Sequence, residues 1–97
     1  MIKILARMTL KPGSWEAVTP LFKEIIEKTR QEEGCIEYGL FIDNRDENKC
    51  CMVEKWASQE AIDSHLKSEH FTGIFPKISE YNAAPAEVSL MHEFGSK

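Results

Sequence analysis

The sequence predicts a single α+β domain with the element order β-α-β-β-α-β. Its 97 residues suit one domain with one modest hydrophobic core. Four segments alternate apolar and polar side chains with the period of strands, and two longer segments repeat apolar residues at the three-and-four spacing of amphipathic helices. The domain is expected to span residues 1–97, with an ordered core over 2–94 and a polar tail at 95–97.

The first strand is predicted over residues 2–10, where apolar and polar side chains alternate. A Lys-Pro-Gly turn follows at 11–13, and Ser14 is placed to cap the first helix. Pro20 predicts a kink in that helix or a delayed start, and Gly34 predicts its end. The apolar stripe of the helix consists of Trp15, Val18, Leu21, Phe22, Ile25, Ile26 and Thr29.

A hairpin is predicted next, because residues 35–43 and 49–57 read as strands and residues 44–48 between them are polar turn formers. Pairing centred near Asp46 fixes which residues lie opposite each other. The expected pairs are Ile36–Trp56, Glu37–Lys55, Tyr38–Glu54 and Leu40–Met52.

Two short helices are predicted after the hairpin. Ser58 is placed to cap the first of them and Ser68 the second, which contains Pro76. The last strand is predicted over residues 87–94. Helices of this length cover one face of a four-stranded antiparallel sheet, which gives the ferredoxin-like arrangement.

The two faces of the predicted sheet differ in character. The face expected under the helices carries Ile2, Ile4, Met8, Leu10, Ile36, Leu40, Ile42, Met52, Val88 and Leu90, together with Tyr38, Glu54 and Trp56. The outer face carries Leu5, Phe41, Cys51, Val53 and Met91 among Arg7, Thr9, Glu37, Lys55 and Ser89. An apolar patch of that size usually marks an interface, so a homodimer packed through the outer sheet face is predicted. The alternative is a monomer with a mixed outer face.

The composition argues against several partners. The formal net charge is −4 and the basic residues are scattered, so no nucleic-acid-binding surface is expected. The apolar runs are far shorter than a membrane span, and Arg7 makes the first residues a poor signal peptide. Cys50 and Cys51 point to opposite faces and Cys35 is placed opposite Ala57, so no disulfide is expected. A cytoplasmic protein with reduced thiols is predicted.

A string of polar and aromatic residues runs from the second strand into the last helix. It consists of Gly34-Cys35, Tyr38, Glu54, Trp56, Ser58, Glu60-Ala61, His65, Ser68 and His70-Phe71. The string resembles the pattern G-C-x-x-Y followed by E-x-W-x-S-x-E-A-x-x-x-H-x-x-S-x-H-F of the antibiotic biosynthesis monooxygenase family. The resemblance covers about residues 2 to 94.

The resemblance implies a dimeric α+β barrel with a pocket between the helices and the sheet of each subunit. Characterised members of the family oxygenate quinols and polycyclic phenols with O₂ and no bound cofactor, because the deprotonated substrate itself reduces oxygen. Other members isomerise a small signalling metabolite, and some only look like enzymes. A haem-degrading branch has a His and an Asn where this chain has Phe75 and Ala6, so neither haem nor another cofactor is expected.

The candidate catalytic residues are His65, His70, Tyr38 and Glu54. Either histidine could act as the base, and the start of a helix favours a neutral His70. Tyr38 facing Glu54 would orient the substrate, or would donate a structural hydrogen bond that closes the core. His65 is equally compatible with a structural role in the core, and His70 with an exposed helix start.

The candidate substrate-binding residues are Trp56, Phe71, Leu40 and Met52. Trp56 would stack on an aromatic substrate, or would pack in the core with its N–H hydrogen-bonded. The two helical histidines are five residues apart, a spacing that does not place them on one helix face, so no metal site is expected.

The sequence therefore predicts a cofactor-independent monooxygenase that acts on a small aromatic or quinol substrate. Two other functions stay open. One is an isomerase of a small carbonyl metabolite of the autoinducer type, and the other is a non-catalytic ligand-binding or stress-response module.

Overall fold

A computed structural model describes residues 1–95 of the chain. The described elements are β1 (Ile2–Thr9), α1 (Trp15–Thr29), β2 (Cys35–Ile42), β3 (Lys49–Trp56), α2 (Gln59–Leu66), α3 (Glu69–Ser79) and β4 (Glu87–Met91). The strands form one antiparallel sheet in the order β2-β3-β1-β4, which confirms the predicted α+β, ferredoxin-like fold. Of the predicted polar tail, Ser96 and Lys97 lie outside the described residues.

Helix α1 differs from its prediction at both ends. Ser14 occupies the N-cap position, but its hydroxyl donates to the carbonyl of Lys11 (2.6 Å) instead of capping the helix. The helix continues through Pro20 and ends at Thr29, five residues before Gly34. Residues 30–34 form a turn that leads into β2, so Gly34 opens the strand rather than ending the helix.

The hairpin register is confirmed from Glu37 onward and is wrong before it. Glu37 pairs with Lys55, and the predicted Tyr38–Glu54 and Leu40–Met52 pairs are also present. A register shift between Cys35 and Glu37 places Cys35 opposite Trp56 and leaves Ile36 exposed. A bulge inserts one unpaired residue into a strand, and this cannot be read from period-two alternation.

The core lies between the helices and one face of the sheet. Its strand residues include Ile4, Met8 and Met52, as predicted. Ile42, Val88 and Leu90 were expected in this core but are about half exposed. Strands β2 and β4 are the two edges of the sheet, and the helices do not cover these edge positions.

The outer face of the sheet keeps exposed apolar side chains. Phe41 and Met91 are exposed, and Leu5, Cys51 and Val53 are half-buried. β4 ends at Met91, three residues before its predicted end. All three cysteines are free thiols. Among the described residues, no helix is both long enough and apolar enough to span a membrane.

Gly34 controls how closely α2 approaches the start of β2. Its φ is +89°, and a Cβ added there would lie 2.6 Å from the Cβ of Ala61 on α2. We expect Gly34→Ala to lower the free energy of unfolding by about 2 to 4 kcal/mol, because it adds left-handed backbone strain to a collision between two fixed backbones. Urea unfolding followed by circular dichroism measures this loss.

Gly73 provides the matched control, because it lies within α3 and an added Cβ would meet no atom within 4 Å. Gly73→Ala is expected to raise the free energy of unfolding by up to about 1 kcal/mol. Equal effects of the two substitutions would contradict the tight contact assigned to Gly34.

Candidate active site

Three polar side chains from separate segments meet at one end of the helical layer. His65 lies in the last turn of α2, His70 in the first turn of α3, and Glu32 in the turn after α1. His65 Nδ1 lies 2.7 Å from Glu32 Oε2, and His70 Nε2 lies 2.6 Å from the same oxygen. Because a carboxylate oxygen only accepts, each facing nitrogen carries a hydrogen and donates it to Glu32.

The two histidines meet because the helical segment is broken between them. In one continuous helix, residues five apart would point about 140° away from each other. Instead, Ser68 has extended backbone angles and begins a new helix. Its hydroxyl accepts from the N–H of Phe71 (3.2 Å) and donates to the carbonyl of His65 (2.6 Å). The expectation that His65 and His70 point apart is therefore wrong, although the caps that break the helix were predicted correctly.

Glu32 was missed by the sequence reasoning. It sits beside Glu33 in a polar turn, and nothing in the local pattern separates the two residues. In the structure Glu33 is exposed, whereas Glu32 faces the histidines. The contacts join residues 33 and 38 positions apart, so no short-range signal could have found them.

His65 is enclosed by aromatic rings. Its ring centroid lies 4.8 Å from that of Trp56, 4.9 Å from Phe71 and 5.6 Å from Tyr38. Burial lowers the pKa of His65, and this effect exceeds the opposing effect of its hydrogen bond to Glu32. The imidazole is thus neutral near neutral pH. Its Nδ1–H is held by the carboxylate, and its Nε2 forms no hydrogen bond to any residue from 1 to 95.

Glu54 and Trp56 form a second buried polar pair, on β3. Trp56 Nε1 donates to Glu54 Oε1 at 2.9 Å. Burial raises the pKa of Glu54 to about 7, while the Trp56 hydrogen bond lowers it and the charge of Glu32 raises it further. Tyr38 was expected to be a donor to Glu54, but the donor that the structure shows is Trp56.

Tyr38 is buried against the same cluster and keeps its proton. Burial, followed by the charge of Glu54, raises the pKa of its hydroxyl well above the ordinary value. Its ring meets Trp56 edge-on at 6.4 Å, and its backbone carbonyl accepts from Arg30 Nε at 2.8 Å. Tyr38 is therefore a neutral hydroxyl in a fixed position.

The remaining candidates line the cluster on its apolar sides. Phe71 stacks on Phe75 with ring centroids 4.9 Å apart and an interplanar angle of 12°. Leu40 and Met52 form the next cross-strand pair on the same face of the sheet as Tyr38 and Glu54. The structure thus gathers Tyr38, Glu54, Trp56, His65, His70 and Phe71 into one cluster, with Leu40 and Met52 beside it.

The cluster reaches solvent at Glu32 and His70. The side chains of Glu32 and His70 are 15% and 14% exposed, against 3% for His65. Trp56 is fully buried, so the aromatic rings fill the region between helices and sheet where the family pocket was expected. Outside the cluster, an open surface groove of about 700 Å³ lies between α1 and β2, beside Arg30 and Leu40.

Comparisons with known proteins find relatives that match most of this chain. The family model described as "Antibiotic biosynthesis monooxygenase" matches residues 1–77. The chain is 33% identical over 88 residues to a Bacillus subtilis protein named "Putative monooxygenase YcnE", covering 91% of this chain and 93% of that protein. It is 29% identical over 89 residues to a Synechocystis protein, sll1783, of whose length it spans 60%.

Among solved structures, one described as an antibiotic biosynthesis monooxygenase superposes with a TM-score of 0.92 at 38% sequence identity. The match covers 96% of this chain and 98% of that chain.

Proposed function

Because the chain belongs to the antibiotic biosynthesis monooxygenase family, we propose that it is a cofactor-independent monooxygenase of small quinol or other aromatic substrates. The observation that carries the proposal is His65. It is a neutral imidazole among aromatic rings, with Nδ1 fixed by Glu32 and Nε2 left without a protein partner. A carboxylate that holds one ring nitrogen leaves the other nitrogen as an oriented base.

The first step in this proposal is removal of a substrate proton by His65 Nε2. A phenol or an activated ring methylene becomes electron-rich when deprotonated, and it can then reduce O₂ without a bound redox group. The substrate carbon forms a bond to one oxygen atom, and the peroxide takes the proton from the imidazolium. Cleavage of the O–O bond releases water and leaves a carbonyl, so that a methylene plus O₂ gives a carbonyl plus water.

The other side chains would bind and orient the ring. Trp56 and Phe71 supply aromatic surfaces beside His65, and Leu40 and Met52 supply apolar contacts along the hairpin. Tyr38, with its hydroxyl protonated, and Glu54, which is half protonated near pH 7, can each donate a hydrogen bond to a developing oxyanion. Apolar surroundings keep water away from the deprotonated ring.

His70 would be the second histidine of the site, at its entrance. It shares Glu32 with His65 and is the more exposed of the two. Because the rings fill the interior, a substrate must displace side chains on this side, where Glu32, His70 and Phe71 lie. We assign His70 to this entrance and His65 to the base.

An oxygen electrode tests the proposal with a panel of hydroquinones and anthrones. We expect uptake of one O₂ per product molecule, strongly reduced in a His65→Ala/His70→Ala double variant. Absence of substrate-dependent uptake would overturn the monooxygenase assignment. Conversion that persists without oxygen would identify an isomerase, and a rise in melting temperature on ligand addition without product would identify a binding module.

The second part of the proposal is a homodimer formed through the outer sheet face. Exposed Phe41 and Met91 lie there with half-buried Leu5 and Val53, and an apolar surface of this kind is covered in most soluble proteins. We expect Phe41→Glu to convert a particle of two chains into one of a single chain, as measured by light scattering during size-exclusion chromatography.

Leu66 is the matched control for this substitution, because it is similarly exposed but lies on α2, on the opposite side of the sheet. Leu66→Glu should leave the mass unchanged. A wild-type mass of one chain, or equal dissociation in both variants, would contradict the proposed interface.

A further inference from the structure

Glu32, His65 and His70 also have the composition of a metal site. One ligand atom from each lies within 4.8 Å of the other two. Two imidazole nitrogens and one carboxylate oxygen are ligands preferred by Zn²⁺ and neighbouring first-row transition ions. We propose that these three side chains bind one divalent ion of this class.

The distances require little rearrangement. Both nitrogens already lie within 2.7 Å of one carboxylate oxygen, and an ion would sit about 2.0 to 2.2 Å from each ligand. To bind it, each imidazole moves its hydrogen to the other ring nitrogen, and the ion takes the place of the two hydrogen bonds. No net loss of a proton from the histidines is needed.

The site combines one rigid ligand, His65, with one ligand that can move, Glu32. His65 is held by Trp56, Phe71 and Tyr38 and supplies a rigid ligand. Glu32 lies in a turn outside α1 and is partly exposed, so its carboxylate can move toward an ion. Three protein ligands leave at least one position for water, and the exposed sides of Glu32 and His70 provide the route for it.

The surrounding charges favour a cation. Glu32 supplies a carboxylate to the site, and no Lys or Arg is paired with it among residues 1–95.

The proposed metal site shares His65 with the proposed reaction, which uses no metal. An ion bound at His65 Nδ1 would remove the hydrogen bond that orients the base. We therefore expect the ion to inhibit the oxygenation rather than to support it. Metal binding is measured on the free protein without substrate, so failure of one proposal leaves the other standing.

Titration of the full chain with Zn²⁺ by calorimetry at neutral pH is expected to show one ion per chain. Co²⁺ should give the visible absorption of nitrogen and oxygen ligands, without a thiolate charge-transfer band. Glu32→Gln and His70→Gln, both at partly exposed positions, should weaken Zn²⁺ binding at least tenfold. A zinc-dependent rise in melting temperature should be lost in the same two variants.

Two matched variants serve as controls. His92→Gln removes a histidine beyond the end of β4, and Cys35→Ser removes a half-buried thiol whose backbone N–H donates to the carbonyl of Glu32. Both should bind Zn²⁺ as tightly as the wild type. The proposed site would be overturned if Zn²⁺ did not bind or if Co²⁺ gave a thiolate band. It would also be overturned if the control variants lost as much Zn²⁺ affinity as Glu32→Gln and His70→Gln.

Discussion

Replacing His65 by glutamine is expected to lower the turnover of the oxygen-consuming reaction by about 10² to 10⁴-fold, the range typical for loss of a general base. Glutamine retains a polar group at the buried position but has no nitrogen that can take a proton near neutral pH. The loss should appear in kcat, because Trp56 and Phe71 would still bind the aromatic substrate. Initial rates in the oxygen electrode over a range of substrate concentrations measure it.

The variant needs a test that separates chemistry from folding, since His65 is buried. Glu32→Gln leaves the imidazole in place and removes only the charged acceptor that orients it. It should therefore lower kcat by a smaller factor than His65→Gln while leaving the thermal transition intact. His92→Gln should leave the rate unchanged. A His65→Gln protein that folds and retains kcat within twofold of the wild type would refute this role.

Replacing Glu54 by glutamine is expected to change how stability depends on pH. The pKa of Glu54 is raised from its ordinary 4.5 to about 7 in the folded protein, mainly by burial. Between these values the unfolded chain has released the proton and the folded chain still holds it. The free energy of unfolding therefore falls as pH rises, by about 1.4 kcal/mol per pH unit and about 3 kcal/mol in all. Glutamine does not titrate, so Glu54→Gln should lack this fall.

The measurement is urea unfolding of both proteins at intervals from pH 4.5 to 8. His65 contributes an opposite slope, because its lowered pKa removes stability as pH falls through its titration range. Both chains contain His65, so the wild-type minus variant difference isolates Glu54. A new unpaired amide beside Trp56 would shift the free energy of unfolding of the variant by the same amount at every pH, so the slope of that free energy against pH would not change. A difference that does not vary with pH would contradict the raised pKa.

Much of the fold follows from local pattern. Alternation in residues 2–10 and 49–57 predicted β1 and β3 closely, and the Ser58 and Ser68 caps predicted where α2 and α3 begin. The hairpin register was predictable from Glu37 onward, because a short turn fixes it. These features depend on neighbours within a few residues, which the sequence displays directly.

Most residues of the candidate site could be predicted from the sequence, but the hydrogen bonds between them could not. Tyr38, Glu54 and Trp56 were correctly expected together, because alternation places them on one sheet face. The hydrogen-bond donor to Glu54 was not predicted correctly, because the direction of the side chains decides between Trp56 and Tyr38. The exposure of Val88 and Leu90 depends on how far the helices extend over the sheet, which periodicity does not report.

The sequence by itself determined the order of elements, the apolar face of the sheet and the family to which the chain belongs. Only the tertiary structure decided that one carboxylate serves two histidines. Glu32 and the histidines are 33 and 38 residues apart, and they meet because the turn after α1 lies against the break between α2 and α3. Periodicity and capping are local, whereas this contact depends on how the helices pack on the sheet.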